Sequence, residues 1–583
     1  MGGRPGFPPG GPGMGGMGHG AGMGGRPGFG GPAMGRPGFG PGGPGGRYGG
    51  QDLTTGPIAK SMFFFMLPVL GTNVLQSLNA TVNTFWVSHS LGMAAMAAIQ
   101  NANIIMMLLM GAVFGISMAS NILVAQAVGA GNFPLIKRVI GTAISFFFGV
   151  SFSLAIFGSI FAPRILEAMG TPDAARPFAI AYLRIVFMTM PFMYFFMFLQ
   201  MAQRGAGDSK TPFYFSLLAV GIDVVMNPLL INGFFGFPRL GIAGSAVSTL
   251  IGQGVSMVCL VAYLYRTKSI LLLRPGEFHM LRPDPEILKM LMFRGLPMGF
   301  QMLVMSGAAL VMLRFVNAYG VQIGAAYAAA TQIWTYVQMP AMALGASVSS
   351  MAGQNIGAGK WDRVDQVART GVLMGLAVTG VIAMIIFLGG DLVPRLFLPA
   401  GSPALADAVH MNSIVLWSFV IFAVNFTLSG IVRATGAVWP PLIILIVSMW
   451  LIRVPFADLL QPHLGADAIW WSFPFGTITS AALSLAYYKW GGWRKLRLLP
   501  MGSMMGQAPV DRGGEAPDTG LATPIMDEEP LVLAGGQAAV AAAPSGPAAA
   551  WSTVGADLRT VGKSFSHAVS ETFQHLFGGP RKG

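Results

Sequence analysis

The sequence predicts an all-α polytopic membrane protein of about twelve transmembrane helices, set in two six-helix lobes related by an internal parallel repeat. Three observations carry that expectation. Of the 583 residues 53% are hydrophobic and only 10% charged, at a mean hydropathy of +0.62, which is more apolar surface than a soluble domain can hide. Apolar runs of about 20 residues or more, each long enough to cross a hydrocarbon core roughly 30 Å thick, recur from Ile58 to Trp490. Short signatures of the first half also return in the second at nearly constant spacing.

In the first half the runs cover 58–84, 93–126, 136–161, 177–202, 212–234 and 241–266. In the second they cover 287–316, 321–352, 364–390, 405–432, 440–461 and 467–489. They are continuous rather than dyad-alternating, so each is read as a helix, which satisfies its own backbone inside lipid. Residues 58–266 and 287–490 form the two lobes, and 267–286 is a polar linker between them. Residues 1–57 form a Gly/Pro-rich tail in which RPGF recurs at Arg4, Arg26 and Arg36, a composition that buries no core and is expected to be disordered. The stretch 491–583 is a second tail. Within 552–577, Val554, Leu558, Val561, Phe565, Val569, Phe573 and Leu576 recur at helical spacing. Two readings stand for it: an amphipathic helix on a membrane or partner, or a tail helix with no specific role.

Charge gives the orientation. Lys137, Arg138, Arg204, Lys210, Arg266, Lys360, Arg363, Arg433, Lys489 and Arg494 collect in the loops of one side, against Arg164, Arg176, Arg239 and Arg395 on the other. The positive-inside rule makes the first side cytoplasmic, with both termini there, as expected of a multi-pass protein of the plasma (inner) membrane. The net charge of +13 is thus accounted for by the bilayer and implies no nucleic acid. The first run directs insertion, since no apolar stretch precedes it. A single cysteine, Cys259, permits no disulfide within the chain and no cysteine-based metal cluster. His89, His410 and His463 fall near run ends without metal-ligand spacing, so neither a metal site, a cofactor nor a membrane-embedded enzyme is expected.

The repeat is legible at three places. Leu67-Pro68 returns as Leu296-Pro297, the Gln126, Gly129 and Gly131 of AQAVGAGN return as Gln354, Gly357 and Gly359 of GQNIGAGK, and RGAGDSKTP from Arg204 returns as RATGAVWPP from Arg433. The displacement is 228 or 229 residues each time (126 to 354, 204 to 433). Six runs per half is an even number, so both halves enter the membrane from the same side. That is the arrangement in which a path forms between two bundles and opens alternately to either face.

Together LPVLGTNVLQSLNATVNTFWVSHSLG, the two QxxGAG loops, RGAGDSKTP with NPLLI after it, and LGIAGSAVST resemble the multidrug and toxic compound extrusion (MATE) family over roughly residues 58–490. The resemblance implies a secondary active exporter, expected to act as a monomer. It would move organic, often cationic, compounds outward in exchange for protons, with sodium as the alternative coupling ion. A flippase or exporter of a lipid-linked or polar metabolite from the same superfamily is the second reading.

Carried over residue by residue, the family's cation site falls on Asn83, Gln200, Asp223 and Asn227. Here the chain departs from the family: Asn83 stands where an Asp is usual, and Asp223 and Asn227 stand in reversed order, four apart and so on one helix face. That leaves Asp223 as one acid inside a span, where a charge is expensive and a functional role is the default reading. The alternative is a purely structural hydrogen-bonding role. For the substrate, Met193 and Met197 of a stripe with Met190 and Met201 offer polarizable packing, against the plainer reading of ordinary core or lipid contact. Gln301, Gln332, Trp334 and Tyr336 are the polar and aromatic candidates of the second half, with a place in an interfacial aromatic belt as the equal alternative for the rings, and Pro340 is able to unwind the backbone nearby. Arg453 and Asp458 share the eleventh run at poor spacing, and an ion pair to another helix or a place near the membrane interface is expected for them.

Overall fold

The computed structural model describes residues 50–168, 170–171, 176–399 and 401–495, apart from the side chains of 92–101, 103, 104 and 108. The amphipathic stretch 552–577 and almost all of the first tail lie outside the described residues. The elements are α1 (Ile58–Gly129), α2 (Phe133–Ala168), α3 (Arg176–Gly205), α4 (Lys210–Asn232), α5 (Ile242–Arg266), α6 (Pro285–Asn317), α7 (Val321–Gly357), α8 (Trp361–Leu388), α9 (Ala404–Ala434), α10 (Trp439–Ile446), α11 (Val454–Leu464) and α12 (Asp467–Trp490). A π-helical segment, Val447–Arg453, joins α10 to α11 into one span.

α1 contains the first two expected runs, as the spanning stretches Ile58–Leu91 and Ile105–Gly129. No break appears between them at 85–92. The two spans nevertheless run back alongside each other, because Leu53 just before α1 and Gly129 at its end both meet Gln354. Pro340 does not unwind α7, which stays helical on both sides of it. Large apolar side chains such as Phe148, Phe152, Phe157 and Ile160 on α2 stand exposed, as lipid-facing residues must in a protein whose solvent is hydrocarbon.

Among the described residues three apolar cores hold the helices together. Phe147, Tyr194 and Phe198 anchor one between α2 and α3. Trp334, Phe419 and Trp470 anchor another among α7, α9 and α12. The third seats Leu53, Met62, Phe65, Met66 and Val69, the approach to α1 and its first turns, against Val348, Val364 and Ile431 of α7, α8 and α9. The start of the first half is thereby packed into the second.

At the basic end the two halves close on each other through a reciprocal clasp. Gln126 Nε2 donates to Ala434 O at 2.6 Å, and its repeat partner Gln354 donates from Nε2 to Gly205 O at 3.0 Å. Gly129 and Gly357, again repeat partners, lie against the opposite glutamines, so that an added Cβ would meet Gln354 O at 1.9 Å or Gln126 O at 2.0 Å. Residues 51–56 run beneath this contact as a strap. Gln51 N donates to Gly207 O (3.0 Å), Leu53 N to Gln354 Oε1 (3.1 Å), Asn355 Nδ2 to Leu53 O (3.1 Å) and Lys360 Nζ to Thr54 O (2.9 Å). The linker between the halves is pinned to α2 through Lys137–Glu277, at 2.8 Å, and Arg138–Asp284. Partial burial opposes the charge on Glu277, but the Arg274 backbone amide and the Lys137 ammonium outweigh it and hold the carboxyl below its usual range.

Because the atoms facing Gly129 and Gly357 are backbone, a larger residue has nowhere to go unless the halves separate. The Gly129→Val, Gly357→Val double variant is expected to insert normally yet lose efflux at least tenfold, measured as dye export per unit of membrane-inserted protein; export at the native rate would remove the clasp from the transport cycle.

Candidate functional site

On α4, Ser216, Ala219, Asp223, Asn227 and Leu230 recur every three or four residues and are buried, so the carboxylate lies on the face turned into the protein. Gly252 lets α5 approach that face: a Cβ there would lie 2.7 Å from Ala219 O. The close approach brings Ser248 and Thr249 of α5 onto Asp223, while α1 supplies two amides from the opposite side. Asp223 Oδ2 accepts from Asn79 Nδ2 at 2.8 Å, Thr249 Oγ1 at 3.2 Å and Asn83 Nδ2 at 3.3 Å, and Oδ1 accepts from Ser248 Oγ. Asn227 Nδ2 donates to Asn83 Oδ1 and lies 3.4 Å from Ser245 Oγ.

Asp223 is 1% exposed, and among the described residues no cation lies within ion-pair distance of it. Its charge is met by neutral donors alone. A hydroxyl has a single proton to give, and both hydroxyls here have a second acceptor: Ser248 Oγ is 2.9 Å and Thr249 Oγ1 3.2 Å from Ser245 O. The carboxylate therefore sits in a shell able to donate to it or to turn away. Two amide oxygens at its edge, Asn79 Oδ1 and Asn227 Oδ1, are buried with no partner.

Of the four residues expected from the sequence, the structure brings together Asn83, Asp223 and Asn227. Gln200 stands apart: its Nε2 donates to Ser216 Oγ at 3.1 Å, two helical turns from Asp223. Asn79, Ser248 and Thr249 complete the shell and were not anticipated, although Asn79 precedes Asn83 by one helical turn and both hydroxyls belong to the LGIAGSAVST segment.

The substrate candidates are dispersed. Met193 and Met197 pack half-buried on the α2–α3 core. Gln301 Oε1 accepts from Arg433 NH1 at 3.3 Å. Trp334 is 2% exposed and donates to Asn412 Oδ1 at 2.9 Å, whereas Gln332 and Tyr336 are half-buried and, two residues either side of it, point away from that core. Of the two alternatives expected for Arg453 and Asp458, the ion pair is not found among the described residues; Asp458 is exposed toward the end of its span, and the Arg453 guanidinium lies over the Phe473 ring at 3.4 Å. No cluster of metal-ligating side chains occurs among the described residues.

The family model described as MatE matches residues 68–229 and 297–459, one segment in each half. The chain is 36% identical over 441 residues to the probable multidrug resistance protein YoeA of Bacillus subtilis, covering 75% of this chain and 95% of that protein. It is 25% identical over 449 residues to the probable multidrug resistance protein NorM of Thermotoga maritima, covering 76% and 94%. Among solved structures, an outward-facing conformation of a multidrug resistance MATE family transporter superposes with a TM-score of 0.70 at 19% identity, over 75% of this chain and 96% of that one.

If the shell exists to satisfy a carboxylate, removing one donor should hurt only while the carboxylate is there. Ser248→Ala is expected to lower stability by about 1–3 kcal/mol, the penalty for an unmet buried acceptor, and by clearly less in an Asp223→Asn background. Thermal unfolding of the four detergent-purified proteins closes that cycle, and equal losses in both backgrounds would mean that Ser248 acts through packing alone.

Proposed function

The chain belongs to the MatE family of multidrug efflux transporters, and from that premise we propose that it is a secondary active exporter in which Asp223 carries the proton that drives substrate outward. It is a transporter rather than an enzyme. The reading extends to organic, often cationic, substrates, a monomer in the plasma (inner) membrane with both tails cytoplasmic, and lobes of 58–266 and 287–490. The basic end closed by the clasp is then the cytoplasmic side.

One observation carries the proton assignment: the buried carboxylate is surrounded by neutral donors, two of which have an alternative acceptor in Ser245 O. With Asp223 ionised, the Ser248 and Thr249 protons point at it. When Asp223 takes up a proton on Oδ1, the Ser248 hydroxyl turns its own proton to Ser245 O and receives the new one, while Oδ2 goes on accepting from Asn79, Asn83 and Thr249. Both protonation states are thus hydrogen-bonded without moving a helix, and the energy difference between them is free to be spent on opening and closing the halves. Substrate arriving from the cytoplasm and a proton arriving from outside occupy the transporter alternately, which couples the two flows.

A second reading rests on the unpartnered oxygens of Asn79 and Asn227 beside the carboxylate. With Asp223 they form an all-oxygen set of the kind a hard cation such as sodium requires, though with one negative charge to neutralise it.

Proteoliposomes separate the two. An inward proton gradient in sodium-free buffer is expected to drive ethidium export, and Asp223→Asn, which keeps the shape and removes the titration, should abolish at least nine-tenths of it. Asn83→Asp in that background returns an acid to the same shell and should restore part. Export driven by a sodium gradient alone would replace the proton with sodium, and unchanged proton-driven export by Asp223→Asn would reduce the residue to a structural role.

A further inference from the structure

The second half holds a position equivalent to Asp223, and the charge there is opposite. The last helix of each half is preceded by a glycine with the same unusual backbone, Gly241 at φ 58°, ψ −132° and Gly465 at φ 59°, ψ −137°. Counting on from those two residues sets Gly252 opposite Gly476 and Thr249 opposite Phe473. Counting from Arg204 and Arg433 sets Ala219 opposite Ser448. The helix contacts agree. A Cβ added at Gly252 would lie 2.7 Å from Ala219 O and 3.5 Å from Asp223 Cβ, and one added at Gly476 would lie 3.3 Å from Ser448 O and 3.1 Å from Arg453 Cβ.

Arg453 therefore stands where Asp223 stands in the first half. Asp223 follows Ala219 by four residues and Arg453 follows Ser448 by five, and the extra residue is absorbed by the π-helical segment Val447–Arg453, whose turn closes over five residues instead of four. The surroundings have changed with the charge. In place of Thr249, which donates to the carboxylate, Phe473 lies beneath the guanidinium at 3.4 Å, where the face of an aromatic ring attracts a cation. Behind it Trp334 meets Phe473 edge-on at 4.9 Å and Tyr327 stacks on Trp470 at 5.8 Å.

A ring is an incomplete counter-charge. Arg453 sits midway along the span Trp439–Leu464, has no carboxylate within ion-pair distance among the described residues, and its buried Nε meets no acceptor. An arginine at that depth is costly to retain and is expected to face a partner. We propose that the partner is the substrate, and that Arg453 recognises the carboxylate or phosphate group of an aromatic anion or zwitterion. The guanidinium fork fits the pair of oxygens on either group, and the half-buried Phe473 ring beside it, backed by the buried core rings, suits contact with an aromatic body. The inference goes beyond the proton-driven reading and does not need it, because binding requires no gradient.

The test is equilibrium binding to the detergent-purified full chain, followed by fluorescence anisotropy of fluorescein, an aromatic carboxylate, and of ethidium, an aromatic cation. In Arg453→Gln the ratio of the fluorescein Kd to the ethidium Kd is expected to rise at least tenfold, with Arg453→Lys intermediate because it keeps the charge without the fork. On the native protein benzoate or phenyl phosphate should displace fluorescein at least tenfold more effectively than benzylamine, and the tighter of the two names the preferred group. This arm decides the question by itself should Arg453→Gln fail to purify as a monodisperse protein. An unchanged Kd ratio in a well-folded Arg453→Gln, or displacement by benzylamine as strong as by the anions, overturns the proposal; loss of proton-driven ethidium export in Asp223→Asn bears on the other reading only.

Discussion

The two halves meet where backbone touches backbone, and that contact governs the rest of the architecture. Gly129 and Gly357 have no side chain because each faces a carbonyl oxygen of the other half, and the adjacent glutamines complete the contact by donating across it. Each of these is a neutral hydrogen bond with a net value of about 0.5–1.5 kcal/mol. Even with the strap of residues 51–56 beneath it, the hydrogen-bonded part of the clasp is worth only a few kcal/mol by that measure, to which the apolar core around Met62, Phe65 and Val69 adds.

The clasp and the carboxylate are joined by a single stretch of chain. Asn79 and Asn83 of α1 bond Asp223 in the first half, while Met62, Phe65, Met66 and Val69, earlier in the same stretch, lie in a core built mainly from the second half. Whatever alters the hydrogen bonds around Asp223 acts on a helix whose other end is lodged across the interface. On the proposed mechanism, a change of protonation at Asp223 and a movement of one half against the other would share this one mechanical element, with no longer route through side chains required to connect them.

Much of this was legible in the sequence, and the failures have physical causes. Each helix was found from its apolar run, including α7 and α12, which fall short of the hydropathy of the other spans because α7 carries the small and amide residues of the clasp and α12 its serines, threonines, tryptophans and tyrosines. The i, i+4 spacing rightly put Asp223 and Asn227 on one face. It did not place Gln200, because spacing within α3 says nothing about which turn of α4 lies opposite, and that turn holds Ser216. Ser248 and Thr249 escaped notice because hydroxyls inside a span read as ordinary helix-packing residues until the partner helix is in position.

The correspondence of Arg453 with Asp223 was hidden for a different reason. At the constant displacement of the repeat, the residue opposite Asp223 is Ile452, and a charged residue one position away points elsewhere on an ideal helix. One π turn corrects the register, and periodicity measured on sequence assumes that no such turn exists. Duplication gave both halves the same buried pocket beside a glycine; one filled it with a carboxylate ringed by donors, the other with a guanidinium laid on an aromatic face. Two copies of one acid would have offered the same chemistry twice. With a carboxylate on one turn and a guanidinium on the equivalent turn, a repeated architecture carries two chemically unlike sites, and its symmetry does not make its two sides alike.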